Sequence, residues 1–153
     1  NDQRMPDLPH KDLRRARAAA QNTIPETTEA AKALAFVIPD LAGRFDGYSL
    51  RVPTPTVSIV DFTAELKTKT TTDYLRKVLV MASRKSLKGI MACEEERLVS
   101  TDFRGNEHSS VIDLEFTVVL RENLAKVVAW YDNEWGYSCR VADLANFIVQ
   151  KGL

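Results

Sequence analysis

Two neighbouring stretches, VIDLEFTVVLR (111–121) and KVVAWY (126–131), constrain this chain more than any other part of it. In the first, Ile112, Leu114, Phe116, Val118 and Leu120 recur every second residue, the period of a strand with one buried face. The second is apolar on both faces, as a strand inside a sheet must be. VDFTAEL (60–66) repeats the two-residue period through Val60, Phe62, Ala64 and Leu66. Long strands joined by short links make a mixed, largely antiparallel sheet. Helices then cover one face, and the expected class is α+β.

The period changes elsewhere. TTEAAKALAFVI (27–38) places Ala31, Leu34, Ala35 and Ile38 at helical spacing, with Thr27 or Thr28 as cap and Pro39 as stop. TTTDYLRKVLVMA (70–82) is a second helix, capped by Thr70–Thr72, with Leu75, Val78, Leu79 and Ala82 on one face. After Glu134, residues Tyr137, Val141, Leu144, Ala145 and Ile148 predict a closing helix over 134–151. Residues 97–101 read as a short strand, and Gly105 marks a charged loop. Residues 1–25, broken by Pro6, Pro9 and Pro25, read as a long ordered loop with a short helix over 12–20.

Composition narrows the function. A chain of 153 residues buries roughly 68–70% of its unfolded surface and needs no cross-link. Lys+Arg and Asp+Glu are both 21, so there is no excess positive charge to drive nucleic-acid or anionic-membrane binding. No apolar run reaches the roughly 18 residues of a membrane span. Cys93 and Cys139 are isolated, without metal-site or disulfide spacing, and a cytoplasmic setting is expected. The first residue is Asn1 rather than Met, so the sequence reads as a piece of a longer polypeptide.

Few residues suggest chemistry on pattern alone. Cys93 precedes Glu94, Glu95 and Glu96, whose charges oppose a reactive thiolate. His10 and His108 lie in polar loops with no nucleophile beside them. Arginines are more informative: Arg14, Arg15 and Arg17 cluster early, and Arg51 stands before a Pro-bounded turn. Arginine at such places either clamps an anion bidentately or forms a structural ion pair. Asn133 sits where a strand runs into a helix. It is either the helix cap or an amide offered to a ligand.

Three segments then carry a specific resemblance: NDQRMPDLPHKDLRRARAAAQNTIP (1–25), LRVPTPTVSIVD (50–61) and WYDNEWGYSCRVADL (130–144). In that order they resemble the catalytic domain of phosphorylating glyceraldehyde-3-phosphate dehydrogenases, from Asn1 to the C-terminus. The resemblance implies a homotetrameric, cytoplasmic enzyme that uses NAD, glyceraldehyde 3-phosphate and inorganic phosphate. It implies that 1–25 is an S-shaped interface loop, and that Asp2 and Arg51 serve the substrate phosphate. Arg15 and Thr28 match positions at the inorganic-phosphate site. Asn133 matches the asparagine that holds the nicotinamide carboxamide, and Tyr137 a tyrosine beside that ring. Leu8-Pro9 matches the pair of NAD-preferring members. The family's nucleophilic cysteine and basic histidine match nothing here; they and the NAD-binding domain are expected upstream of Asn1, leaving this piece inactive alone.

Other readings of the same residues are an erythrose-4-phosphate dehydrogenase and a non-catalytic surface protein that binds host proteins. An RNA-binding role for RRAR (14–17) is disfavoured by the balanced charge. One departure is notable: where the family reads TTTGAAKA, this chain reads ETTEAAKA (26–33). Glu29 replaces a glycine whose N–H approaches phosphate, and a carboxylate there repels the anion. Glu29→Gly in the parent protein should lower the KM for phosphate; an unchanged KM would reject this.

Overall fold

The computed structural model describes residues 4–28 and 30–152. Asp2 and Glu29 therefore lie outside the described residues. The chain divides into two compact units, Asn1–Pro55 and Thr56–Leu153.

The first unit is built on a small antiparallel sheet of β1 (Ile24–Thr27) and β2 (Tyr48–Arg51), with Glu26 opposite Ser49 and Ile24 opposite Arg51. Strand period puts Ile24 and Glu26 on one side of β1, and both are buried. Helix α1 (Ala30–Val37) follows, then a 3-10 turn at Pro39–Leu41. The helix predicted from residue 27 begins later, because Thr27 is the last residue of β1 and Thr28 lies between the two elements. The short helix predicted over 12–20 is absent; that stretch is turns and bends. Its backbone N–H groups have other acceptors. Asp12 Oδ1 accepts from Arg14 at 2.9 Å, Asp7 Oδ1 from Ala18 at 2.7 Å, and the Arg4 carbonyl from Ala19 at 3.0 Å. Short polar side chains thus draw the backbone away from helix.

The second unit is a four-stranded sheet in the order β3-β6-β5-β4. Here β3 is Ser58–Glu65, β4 Met91–Glu94, β5 Ser110–Leu120 and β6 Leu124–Tyr131. Only the β4–β5 pairing is parallel. The apolar strand β6 is interior to the sheet, as its pattern predicted. Type I′-like geometry closes the β5–β6 hairpin: Arg121 and Glu122 have φ of 49° and 64°, and Asn123 N donates to Leu120 O at 3.3 Å.

Helix α2 (Thr72–Arg84) covers one face. Thr71 Oγ1 caps it by accepting from Tyr74 N at 3.2 Å. Its Leu79, Val80 and Ala82 pack on Met91, Ile112, Leu114 and Ala129. On the opposite face Phe103 stacks on Trp130 with centroids 5.3 Å apart, beside Val57 and Val111.

Three expectations change here. The alternation predicted along 111–121 breaks at a bulge between Asp113 and Val118. Val111 through Leu114 are all buried, whereas Phe116 and Leu120 are exposed. Thr117, at 0% exposure, donates through Oγ1 to Asp113 O at 2.7 Å. Arg76 of α2 donates to the carbonyls of Thr117 (2.9 Å) and Glu115 (3.1 Å), satisfying backbone that the ladder leaves unpaired. The strand predicted at 97–101 is instead loop leading into a 3-10 turn, Ser100–Phe103, because Asp102 Oδ2 accepts from Val99 N at 2.8 Å and draws the backbone round. Finally, Tyr137, Val141, Leu144 and Ile148 of α3 (Asn133–Gln150) form the predicted apolar set, yet all four are exposed.

Phe103 is the largest of the buried side chains in its cluster, at 2% exposed. Phe103→Ala should cost about 3–5 kcal/mol, measured by urea unfolding; a loss below about 1 kcal/mol would show that the stacked pair does not hold this face.

Candidate functional site

The first unit brings together Arg15 and Arg51, and it does so through a residue the sequence reading passed over. Glu26 is buried on β1, its side chain 3% exposed. Arg15 Nε lies 2.6 Å from Oε1 and Arg51 Nε 2.8 Å from Oε2. The two strands position this contact. Glu26 pairs with Ser49, so Arg51 sits on the diagonal, within reach of a long side chain. Arg15 arrives from the turn-rich segment, which Arg14 Nη1 ties to the Pro25 carbonyl at 3.5 Å. The arginine side chains are 45% and 37% exposed, so solvent reaches them while the carboxylate is sealed. Chemically this is a two-guanidinium oxyanion site with an oxyanion in it. Thr28 follows β1 directly, and Asp2 is outside the described residues. The contrast ETTE against TTTG carries a signal for Glu26 as well as for Glu29.

In the second unit, Asn133 is exposed at the first turn of α3. It is not the cap: Asp132 is. Asp132 Oδ1 accepts from Trp135 N at 3.1 Å, and Oδ2 from Gly105 N at 2.9 Å. The backbone bond from Gly105, then those from Trp135 and Glu134, hold the Asp132 carboxyl below its ordinary 3.8, aided by Arg104 and opposed by burial. Because Asp132 takes the capping role, the Asn133 amide stays available. Tyr137, 71% exposed, lies one helical turn further on. Gly136 lets the His108 backbone approach closely: a Cβ there would meet its carbonyl oxygen at 3.1 Å, tight enough that the backbone would have to shift by a few tenths of an ångström.

Neither cysteine forms a nucleophilic pair with a histidine. Burial, first, pushes the Cys93 thiol up, with Ser83 and Arg84 opposing and Glu95 adding least, so the direction expected from sequence holds for a different main cause. His10 Nδ1 bonds the Asp12 backbone and His108 Nδ1 bonds Asn106 Oδ1 at 3.0 Å. Among the described residues, no cluster of His, Cys, Asp or Glu could hold a metal, and no helix is long and apolar enough to cross a membrane.

Asp132→Ala should lower stability by about 1–2 kcal/mol in urea unfolding. A carboxyl with a depressed folded pKa contributes fully above the unfolded value and loses that contribution as pH falls through the folded one. The gap between native and variant should therefore be constant above about pH 5 and close below 3.8. A gap that persists in strong acid would contradict the assignment.

A family model described as glyceraldehyde 3-phosphate dehydrogenase, C-terminal domain, matches residues 1–133. The glyceraldehyde-3-phosphate dehydrogenase of Geobacillus stearothermophilus is 56% identical over 153 residues, all of this chain and 46% of that protein. That of Priestia megaterium is 54% identical over the same span and share. Glyceraldehyde-3-phosphate dehydrogenase 2 of Trichormus variabilis is 52% identical over 150 residues, 98% of this chain and 44% of that protein. The chain thus spans less than half the length of these relatives.

Proposed function

We propose a function from one premise: the chain belongs to the glyceraldehyde 3-phosphate dehydrogenase family and corresponds to its C-terminal domain. Residues 1–153 act as the substrate-side domain of an NAD-dependent, phosphorylating glyceraldehyde-3-phosphate dehydrogenase. The observation that carries this reading is that Arg15 and Arg51 are brought together, one on each oxygen of the buried Glu26 carboxylate. Both are residues whose counterparts in the family serve phosphate.

In the proposed reaction, a cysteine thiolate from the rest of the protein adds to the aldehyde carbon of glyceraldehyde 3-phosphate. The tetrahedral alkoxide so formed becomes a thioester by loss of hydride; if it is first protonated to the hemithioacetal, a base must take that proton back. Inorganic phosphate then attacks the thioester carbon, releasing the thiolate and 1,3-bisphosphoglycerate. NAD, when bound, supplies the hydride acceptor. This domain's own residues bind and orient. Arg51, with Asp2, positions the substrate phosphate, and Arg15, with Thr28, positions the attacking phosphate. Fixing both reactants converts a bimolecular encounter into a near-unimolecular one. Asn133 fits a carboxamide ligand: its amide has a donor pair and an acceptor, it is exposed, and Asp132 relieves it of capping. Tyr137 flanks the same place, one turn along α3. Residues 1–25 form the contact loop of a homotetramer, with Leu8-Pro9 favouring NAD. Setting is cytoplasmic, and the domain by itself is inactive.

Relatives at 52–56% identity are named for the three-carbon substrate, which favours it over erythrose 4-phosphate. The full-length protein, given NAD, phosphate and glyceraldehyde 3-phosphate, should form acyl phosphate; no product would sink this reading. Asn133→Ala should raise the KM for NAD by about five- to a hundredfold, the loss of about 1–3 kcal/mol of hydrogen bonding, with kcat/KM for the aldehyde at saturating NAD less affected. An unchanged KM for NAD removes Asn133 from the cofactor site.

A further inference from the structure

We infer that Glu26 is an internal anion that closes the Arg15–Arg51 site, so that an external tetrahedral oxyanion enters only by displacing it. This rests on the proposed function for the class of the anion, a phosphate (the substrate's beside Arg51, inorganic beside Arg15), with inorganic phosphate as the probe of both, but the contact itself is geometric. Each carboxylate oxygen takes one guanidinium nitrogen, at 2.6 and 2.8 Å. A phosphate between the same arginines would compete for the Nε–H groups that Glu26 holds, and on the remaining N–H groups it would lie against the buried carboxylate, where like charges repel. The two anions therefore compete for the site.

Three features favour the internal one. Glu26 is held on a paired strand, so its carboxylate is presented at an effective concentration above the millimolar range of flexible tethers. Its side chain is sealed from solvent while the arginines remain partly open, so the occupied state needs no further ligand to satisfy the buried charge. And in ETTEAAKA the glutamate stands where the family's TTTGAAKA has threonine, a neutral hydroxyl that would leave both guanidinium groups to a ligand. Glu26 and Glu29 thus place two carboxylates in the segment that, in the family, receives phosphate.

A purely structural ion pair would also tie β1, β2 and the segment 4–23 together. The two roles differ in what freed arginines do. Inorganic phosphate is titrated calorimetrically into the full-length protein and into Glu26→Gln and Glu26→Thr, each with Glu29 native and with Glu29→Gly. Melting is followed in graded phosphate at constant ionic strength. The native protein should bind phosphate weakly, with a melting temperature that phosphate does not move. Both Glu26 variants should bind about tenfold more tightly or better, the effect of removing one charge-assisted competitor, and should be stabilised by phosphate. Arg51→Ala added to Glu26→Gln should abolish the gain. If the variants fold only in phosphate, that recovery supports the inference, and failure to recover overturns it. It is equally overturned if neither variant gains affinity in either Glu29 background, or if the native protein binds phosphate as tightly as Glu26→Gln. Because binding is read directly, a catalytically silent parent would sink the proposed reaction without deciding this point.

Discussion

A carboxylate can be buried only where fixed donors replace its water, and that constraint organises both units of this chain. Three carboxylates are buried among the described residues: Glu26, Asp113 and Asp132. Each is satisfied differently. Glu26 has two guanidinium groups. Asp113 accepts from Trp130 Nε1 at 3.1 Å and Phe116 N at 3.2 Å. Asp132 accepts from Gly105 and Trp135 N–H groups. Leaving any one unpaired would cost more than a hydrogen bond contributes, so the segments that supply donors are held in place.

The consequences differ with the donor. Around Asp113 they are architectural: the carboxylate holds the bulge of β5 and orients Trp130, which stacks on Phe103. Asp132 fixes the start of α3 to the Gly105 loop and so sets where Asn133 is displayed. Around Glu26 the donors are arginines, which have value beyond structure because they bind phosphates as readily as carboxylates. There, on the proposal made above, a stabilising contact and a ligand compete for the same arginines.

Much of the second unit was legible because periodicity reports burial. The runs in β3, β5 and β6 and the spacing of α2 name elements that form where expected, but β3 leaves Val60 and Phe62 exposed, and Val80 rather than Val78 of α2 packs on the core. β4 was not legible: four residues, Met91–Glu94, are too few to show a period. The alternation in β5 misread Phe116 and Leu120, since the bulge is held both by Asp113 within the strand and by α2, where Arg76 donates to Thr117 O and Thr72 accepts from Val119 N at 3.0 Å. The stripe on α3 is real in pattern but exposed here; a pattern records that a face is apolar, not what covers it. Arg15 and Arg51 could be named from the resemblance, yet their meeting on Glu26 depends on strand register, which places a diagonal pair that no linear spacing reveals. Likewise Asn133 and Asp132 compete for one cap, and only geometry shows that the aspartate takes it.

The central claim is that this anion site is filled from within. A crystal structure of the full-length protein grown with saturating inorganic phosphate tests it most directly. The expected result is Glu26 still paired with both Arg15 and Arg51, with no phosphate between them. Phosphate bridging the two guanidinium groups, with Glu26 turned away, would contradict it.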